Sequence, residues 1–315
     1  MSIGNRTARL PIIQGGMAVR ISLSPLAAAV ASAGGIGVIA GTGLSVDELR
    51  TEIRRAKEIA TGGVIGVNIM VAARRFKELV QASLEEGIDI VISGAGFSRD
   101  VFTWCREADV PFVPIVGSAR VAKLSVKFGA DAVIVEGFEA GGHLGTDRYM
   151  RDLLPEIIDA VDIPVIGAGG VVTGADIKEI LDMGAAGVQM GTRFVATVEC
   201  SAAQAFKQMY LDATDDDIAL IKSPVGLPGR ALKNPFWERV QREDYPIIEK
   251  CTACLKDCHK EYCIVNELVM AQEGDVEQGL VFSGSAATRI HDVLPVADLM
   301  ERLKSEYAQA TGERT

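Results

Sequence analysis

Eight short runs of Val, Ile, Ala and Gly recur along the first two-thirds of the chain: Pro11–Gly16, Gly35–Ala40, Val64–Met70, Asp89–Ser93, Pro111–Val116, Ala132–Glu136, Pro164–Ala168 and Gly187–Met190. Their starts lie 21 to 32 residues apart. Each run is nearly continuous in apolar residues instead of alternating with polar ones. That is the pattern of a strand buried on both faces, hence of a parallel sheet. The intervening segments carry helix signals. Ser45 with Glu48 forms a capping box before a helix reaching about Ala60, Arg74–Glu86 has helical spacing, and Thr173 caps Ala175–Met183 before a stop at Gly184. Such units build either an open doubly wound sheet or a closed barrel. Eight units at this regular spacing predict the α/β class as a (β/α)8 TIM barrel. Glycines just after the strands (Gly15–Gly16, Gly94, Gly96, Gly141–Gly142, Gly169–Gly170, Gly191) would then meet at one mouth, where barrel active sites sit.

The rhythm stops near Ala213. An acidic turn, Asp215–Asp217, leads into Ser223-Pro-Val-Gly-Leu-Pro-Gly-Arg230, then a cysteine-rich stretch and an amphipathic helix over Val296–Ala308. The expected division is therefore a barrel over residues 1–212 and a small C-terminal lid over residues 213–315. Net charge of −10 argues against nucleic acid or an anionic membrane as partner. The longest apolar stretch, Leu23–Ala40, is interrupted by Ser24, Pro25, Ser32 and three glycines, so no membrane span is expected. With no basic segment ahead of an apolar core at the start, the expected location is cytoplasmic and the expected partner a small molecule.

The loops after strands seven and eight read Gly167-Ala-Gly-Gly170 and Met190-Gly-Thr-Arg193. These are the recurrent phosphate-binding loops of barrel enzymes, where glycines let backbone N–H groups approach an anion. Gly35-Ile-Gly-Val-Ile-Ala40 matches a dinucleotide-binding pattern, but here the match is itself a strand and lacks the required context. His143, between Gly142 and Leu144 after strand six, can exchange a proton near neutral pH.

Pro11-Ile-Ile-Gln-Gly-Gly-Met17, Glu136-Gly-Phe-Glu-Ala-Gly-Gly-His-Leu-Gly145, Gly167-Ala-Gly-Gly170 and Met190-Gly-Thr-Arg-Phe194 together resemble the nitronate monooxygenase family, once called 2-nitropropane dioxygenase. That family includes the FMN-dependent enoyl-acyl-carrier-protein reductases II. The resemblance runs from about residue 10 to 245 and returns at Gln278–Thr288. It implies an FMN oxidoreductase. Gly169, Gly170, Gly191 and Thr192 would hold the FMN phosphate, and Ala168 and Met190 would also bind the cofactor. Gln14, Gly15, Gly16 and Met17 would line the ring edge, with Gln14 acting through its amide. Asn68 would bond the ring, Glu136 the ribityl chain, and Gly141 and Gly142 would let the chain pass close and aim His143. The resemblance makes His143 catalytic. Nitronate oxidation is the first expected activity, and NAD(P)H-dependent reduction of an enoyl thioester, with acyl carrier protein as partner, is the alternative. A homo-oligomer is also expected.

Other readings stay open. Arg230 and Lys233 are candidate substrate-binding cations. Glu136 with Asp89 is the one candidate carboxylate pair for a non-redox phosphate-binding barrel, and a flavin-binding sensor is a third class. Cys251, Cys254, Cys258 and Cys263 fall within 13 residues. This spacing suggests a [4Fe–4S] cluster, a zinc site, or plain reduced thiols, and His259 is a candidate extra ligand. Cys105 and Cys200 fall in helical patterns as packing residues, and His291 reads as surface.

Overall fold

A computed structural model of the chain describes residues 1–312. Eight parallel strands close into a barrel: β1 (Ile12–Gln14), β2 (Ile36–Ala40), β3 (Val64–Asn68), β4 (Ile90–Ser93), β5 (Phe112–Val116), β6 (Val133–Glu136), β7 (Val165–Ala168) and β8 (Gly187–Met190). Each lies within its expected run. The register brings the strand ends level: Ala168 pairs with Glu136, Met190 with Gln14, and Ala40 with Asn68. Residues widely separated in sequence thereby share one rim.

The inward positions are filled by Ile13, Ile36, Val38, Ile90, Ile92, Val113, Ile134 and Ile166. Ile3, from a hairpin of Ser2–Ile3 and Arg6–Thr7, joins the same cluster at the opposite end. Carboxylates tie that end together. Asp89 accepts the Ile65 N–H at 3.0 Å and Asp131 accepts the Phe112 N–H at 2.9 Å. Asp89 therefore starts β4 at the far end from Glu136, and the carboxylate pair expected for a non-redox barrel does not assemble.

Seven helices follow the first seven strands: Ser24–Ser32, Val46–Ile59, Phe76–Glu85, Asp100–Glu107, Ala119–Phe128, Met150–Ile158 and Gly174–Asp182. Ser45 and Glu48 form the expected box, with Glu48 N–H donating to Ser45 Oγ at 3.2 Å and Ser45 N–H to Glu48 at 2.8 Å. At Gly37 an added Cβ would lie 1.8 Å from Ala27 O. The glycines of the discarded dinucleotide pattern thus serve helix-on-strand packing.

After β8 only a single turn, Thr192–Val195, follows directly. The helix Val296–Thr311 instead packs on Gly174–Asp182 and Ser24–Ser32. A Cβ at Gly174 would meet Leu303 O at 2.2 Å. The last helix of the stretch expected as a lid thus packs back on the helical ring of the barrel. Between these points, Ile218–Ile221, Gly229–Leu232 and Gly142–His143 form an antiparallel sheet. It packs with Phe236, Tyr262, Ile264 and Leu280 in a second apolar cluster beside the barrel rim. No helix among the described residues is long and apolar enough to cross a membrane.

Candidate active site

The rim encloses one deep cavity. Gly15, Gly16, Met17, Asn68, Glu136, Gly141, Gly142, Ala168, Gly169, Gly170, Met190, Gly191 and Thr192 all line it, together with His143. Gln14 does not. It is fully buried, its Nε2 donating to Val38 O at 3.2 Å and its Oε1 accepting the Val38 N–H at 3.1 Å. The expectation that its amide reaches a flavin ring is corrected: both ends are spent on Val38 of the neighbouring strand, and Nε2 donates as well to Gly15 O.

One end of the cavity is shaped by backbone. Gly169 and Gly170 have φ of +118° and +67°, the left-handed region open to glycine. At Gly141 a Cβ would stand 2.7 Å from Gly284 N and 2.8 Å from the Ser283 carbonyl carbon. The segment Phe282–Gly284 therefore lies directly against the loop after β6, and Thr192 Oγ1 accepts the Gly284 N–H at 3.2 Å. Ser283 is buried on the cavity wall. Two cations flank this end: Arg151, paired with Glu179 at 2.7 Å, and Arg289, paired with Asp176 at 2.9 Å and donating to Gly170 O at 3.4 Å.

The titratable groups are strongly perturbed. Burial pushes the Glu136 carboxyl up to about 7, and the negative charge of Glu139 adds to the effect. Glu139 is itself buried, and its carboxylate accepts the Met150 N–H at 3.1 Å. Burial pushes His143 down to about 4, so its imidazole is neutral at pH 7. Its Nε2 lies 2.8 Å from Ser223 Oγ, and its ring packs edge-on against Phe282 with centroids 5.1 Å apart. A backbone pairing with Gly229 holds it further.

Sequence reasoning missed Glu139, Gln189, Ser223, Ser283 and Gly284. Gln189 carried a usable signal, a polar residue between Val188 and Met190 in a buried strand. Its Oε1 is buried without a hydrogen-bond partner while the residue lines the cavity. Above the polar end, the wall is apolar: Met70, Ile115, Val225, Leu255, Ile264, Val265, Leu268 and Phe282.

Three expectations fail. Arg230 does not reach the cavity; its guanidinium covers the Phe138 ring at 4.6 Å and donates to Phe138 O at 2.8 Å, bracing the turn after β6. Exposed Lys233 lies 5.6 Å from the Trp237 ring. The four-cysteine metal centre is not formed: among the described residues no group of three or more His, Cys, Asp or Glu side chains is placed to hold a metal ion. Cys251 is exposed, while Cys254, Cys258 and Cys263 are half-buried free thiols. The backbone here is committed elsewhere, since Cys254 O accepts the Arg74 N–H at 2.9 Å and Cys263 begins the helix Ile264–Glu273. His259 is exposed and its N–H donates to Pro224 O at 3.0 Å.

A closed barrel with glycine-rich loops, an unsatisfied amide and a half-buried histidine on one rim is the architecture of a barrel enzyme. The chain belongs to the nitronate monooxygenase family, whose model matches residues 3–306. FabK of Thermotoga maritima superposes with a TM-score of 0.87 at 32% identity, covering 97% of this chain and 95% of that one. Nitroalkane oxidase of Streptomyces ansochromogenes gives 0.84 at 28% identity, with 97% of each chain covered. The (3aS,4S,5R,7aS)-5-hydroxy-7a-methyl-1-oxo-octahydro-1H-indene-4-carboxyl-CoA dehydrogenase of Mycobacterium tuberculosis is 35% identical over 234 residues, 73% of this chain. That match spans 65% of the relative's own length, just under two-thirds.

Proposed function

We propose that this chain binds FMN and reduces or oxidises an apolar acyl group carried as a thioester, with His143 donating a hydrogen bond to the reacting carbonyl. The resemblance of the motifs put nitronate oxidation first. The apolar wall from Met70 to Phe282 reverses that order, because a small, charged nitronate has no use for so much apolar surface. It is the observation that carries this reading, and the likeness to FabK supports it.

The residues present fit FMN. The unpartnered Gln189 Oε1 is suited to a ring N–H, with Asn68 as a second amide. Backbone N–H groups around Gly169, Gly170, Gly191 and Thr192, with the Ser283 hydroxyl, are suited to the phosphate. Glu136, whose carboxyl is pushed up to about 7 and so keeps part of its proton near neutral pH, is suited to hydrogen-bond a ribityl hydroxyl. When bound, FMN supplies the two-electron chemistry.

The rest falls to the chain. The apolar wall holds the acyl chain and excludes water. His143, a neutral and half-buried N–H donor at the boundary between wall and cradle, is suited to hydrogen-bond the thioester carbonyl oxygen and stabilise the negative charge that develops there, while the proton at the α carbon is exchanged with water at the cavity mouth. The sheet carrying Gly229–Leu232 acts as the lid. Acyl carrier protein or coenzyme A as carrier, NAD(P)H as reductant and a homo-oligomeric assembly belong to the same proposal.

The nitroalkane oxidase likeness favours a second reading, nitronate oxidation. Purified protein saturated with FMN separates the two. Acyl-thioester chemistry gives NAD(P)H consumption that accelerates with an enoyl thioester. Nitronate chemistry gives oxygen uptake with a nitronate and no nicotinamide. Failure of both assays overturns both readings.

A further inference from the structure

We infer that Ser223 is a positioning residue that fixes the tautomer of His143, leaving Nδ1 as the protonated nitrogen open to the cavity. The inference starts from hydrogen-bond accounting around one hydroxyl. Ser223 is 3% exposed and cannot turn to solvent. Its Oγ accepts the Val225 N–H at 3.3 Å. The nearby Tyr262 hydroxyl donates its proton to Lys222 O at 2.7 Å and so has none for Ser223. Two acceptors are then within reach of the Ser223 proton, the Tyr262 oxygen and His143 Nε2, and the imidazole nitrogen is much the more basic, so the proton lies along the 2.8 Å line to Nε2. A neutral imidazole has one donor and one acceptor nitrogen. With Nε2 accepting, Nδ1 carries the hydrogen.

His143 holds a single proton because burial pushes its titration down to about 4. Among the described residues nothing hydrogen-bonds Nδ1, and the residue lines the cavity. Nδ1–H is thus the group free to act on a bound molecule.

The backbone makes this arrangement rigid. His143 pairs with Gly229, and Leu144 N–H donates to Pro228 O at 2.9 Å. Ser223 opens a turn closed by the Gly226 N–H at 3.0 Å. The histidine comes from the barrel and the serine from the segment beyond it, so the serine makes the proton inventory of the site depend on that segment being seated. The catalytic use of Nδ1–H rests on the oxidoreductase reading above; the tautomer does not.

The test is long-range proton–nitrogen NMR on the FMN-saturated enzyme labelled with ¹⁵N-histidine. Only three histidines are present, and loss of one signal set in His143→Gln assigns it. A neutral Nδ1–H tautomer is expected for His143. In Ser223→Ala the proton is expected to redistribute to Nε2, and turnover to fall on the order of a hundredfold, the low end for losing one donor to developing charge, with KM little changed. Ser223→Thr restores both. An Nε2–H tautomer in the unaltered enzyme overturns the inference, as does a spectrum unchanged by Ser223→Ala. If Ser223→Ala does not fold, as judged by circular dichroism, the unaltered enzyme alone decides between the tautomers. The spectrum needs no substrate, so a wrong substrate class leaves it standing.

Discussion

The hydroxyl oxygen of Thr192 and the backbone N–H of Gly284, 92 positions apart, are joined by a 3.2 Å hydrogen bond. This bond fastens the segment Phe282–Gly284 to the loop after β8, and the same segment presses on Gly141. The cradle is thus assembled from three distant pieces of chain with no slack between them. Gly141→Ala places a methyl group within 2.8 Å of two backbone atoms that cannot swing aside. The strand-like segment must move, and the cradle with it. Flavin affinity is expected to fall at least ~10-fold, about 1.4 kcal/mol, with overpacking lowering stability by ~1–3 kcal/mol. Titration of flavin-stripped protein, followed by flavin fluorescence, reads the first; an unchanged Kd counts against the cradle.

Glu136 gives a pH-dependent prediction. Its carboxyl is raised from 4.5 to about 7 by burial, with Glu139 contributing. For an acid raised in the folded state, the unfolded chain ionises first. Stability is lost as pH rises from about 4.5 through 7, and the loss is complete above 7. The full shift corresponds to ~3 kcal/mol as an upper figure. Glu136→Gln abolishes this cost. Flavin-free Glu136→Gln is expected to gain stability relative to the unaltered protein at pH 8 and to show little gain at pH 4.5. Urea unfolding at the two pH values measures it, and an equal gain at both would refute the assignment.

His143 has the opposite sign. A base lowered from 6.5 to about 4 stays neutral through the physiological range, and its burial costs stability as pH falls from about 6.5 through 4. Turnover should therefore show no inflection from His143 between pH 5 and 8. His143→Gln should lower kcat by ~100-fold or more while leaving flavin affinity within about twofold. A pH–rate profile with a limb near 6.5 that vanishes in His143→Gln would contradict this.

The barrel was legible because its strands are buried on both faces, which leaves continuous apolar runs at even spacing. The rim was legible where glycine is demanded, at Gly141, Gly169 and Gly170. What was illegible depends on direction within a strand or on packing between distant segments. Gln14 and Gln189 both interrupt apolar runs at the same rim, but Gln14 turns to the neighbouring strand and Gln189 to the cavity. Ser223 and Gly284 lie in stretches that the resemblance covers, but nothing local marks their hydrogen bonds to His143 and Thr192; packing between distant segments makes them. The helix Val296–Thr311 was readable as a helix, but its seat against Gly174 is set by tertiary packing. The spacing of Cys251, Cys254, Cys258 and Cys263 reads as a ligand run, yet the local backbone is drawn to Arg74 and into a helix start.

The correction at Gln14 carries its own prediction. The β1–β2 ladder ends at the pair Gln14–Gly37, where β1 turns away. The next residue on β2, Val38, still presents an N–H and a carbonyl toward the space β1 has left. The Gln14 amide fills that space as a surrogate peptide, accepting the Val38 N–H at 3.1 Å and donating to its carbonyl at 3.2 Å. Gln14→Leu keeps the volume and removes both partners. Three buried backbone groups, the Val38 N–H and the Val38 and Gly15 carbonyls, then lose a bond, each at up to ~1–3 kcal/mol before the site relaxes. The expected result is a loss of ~2–4 kcal/mol in urea unfolding, with flavin affinity of the folded protein changed less than about threefold. A side chain that instead held the flavin ring would give the reverse, a small stability change and a large loss of flavin binding. Measuring both quantities on the one variant separates the two roles.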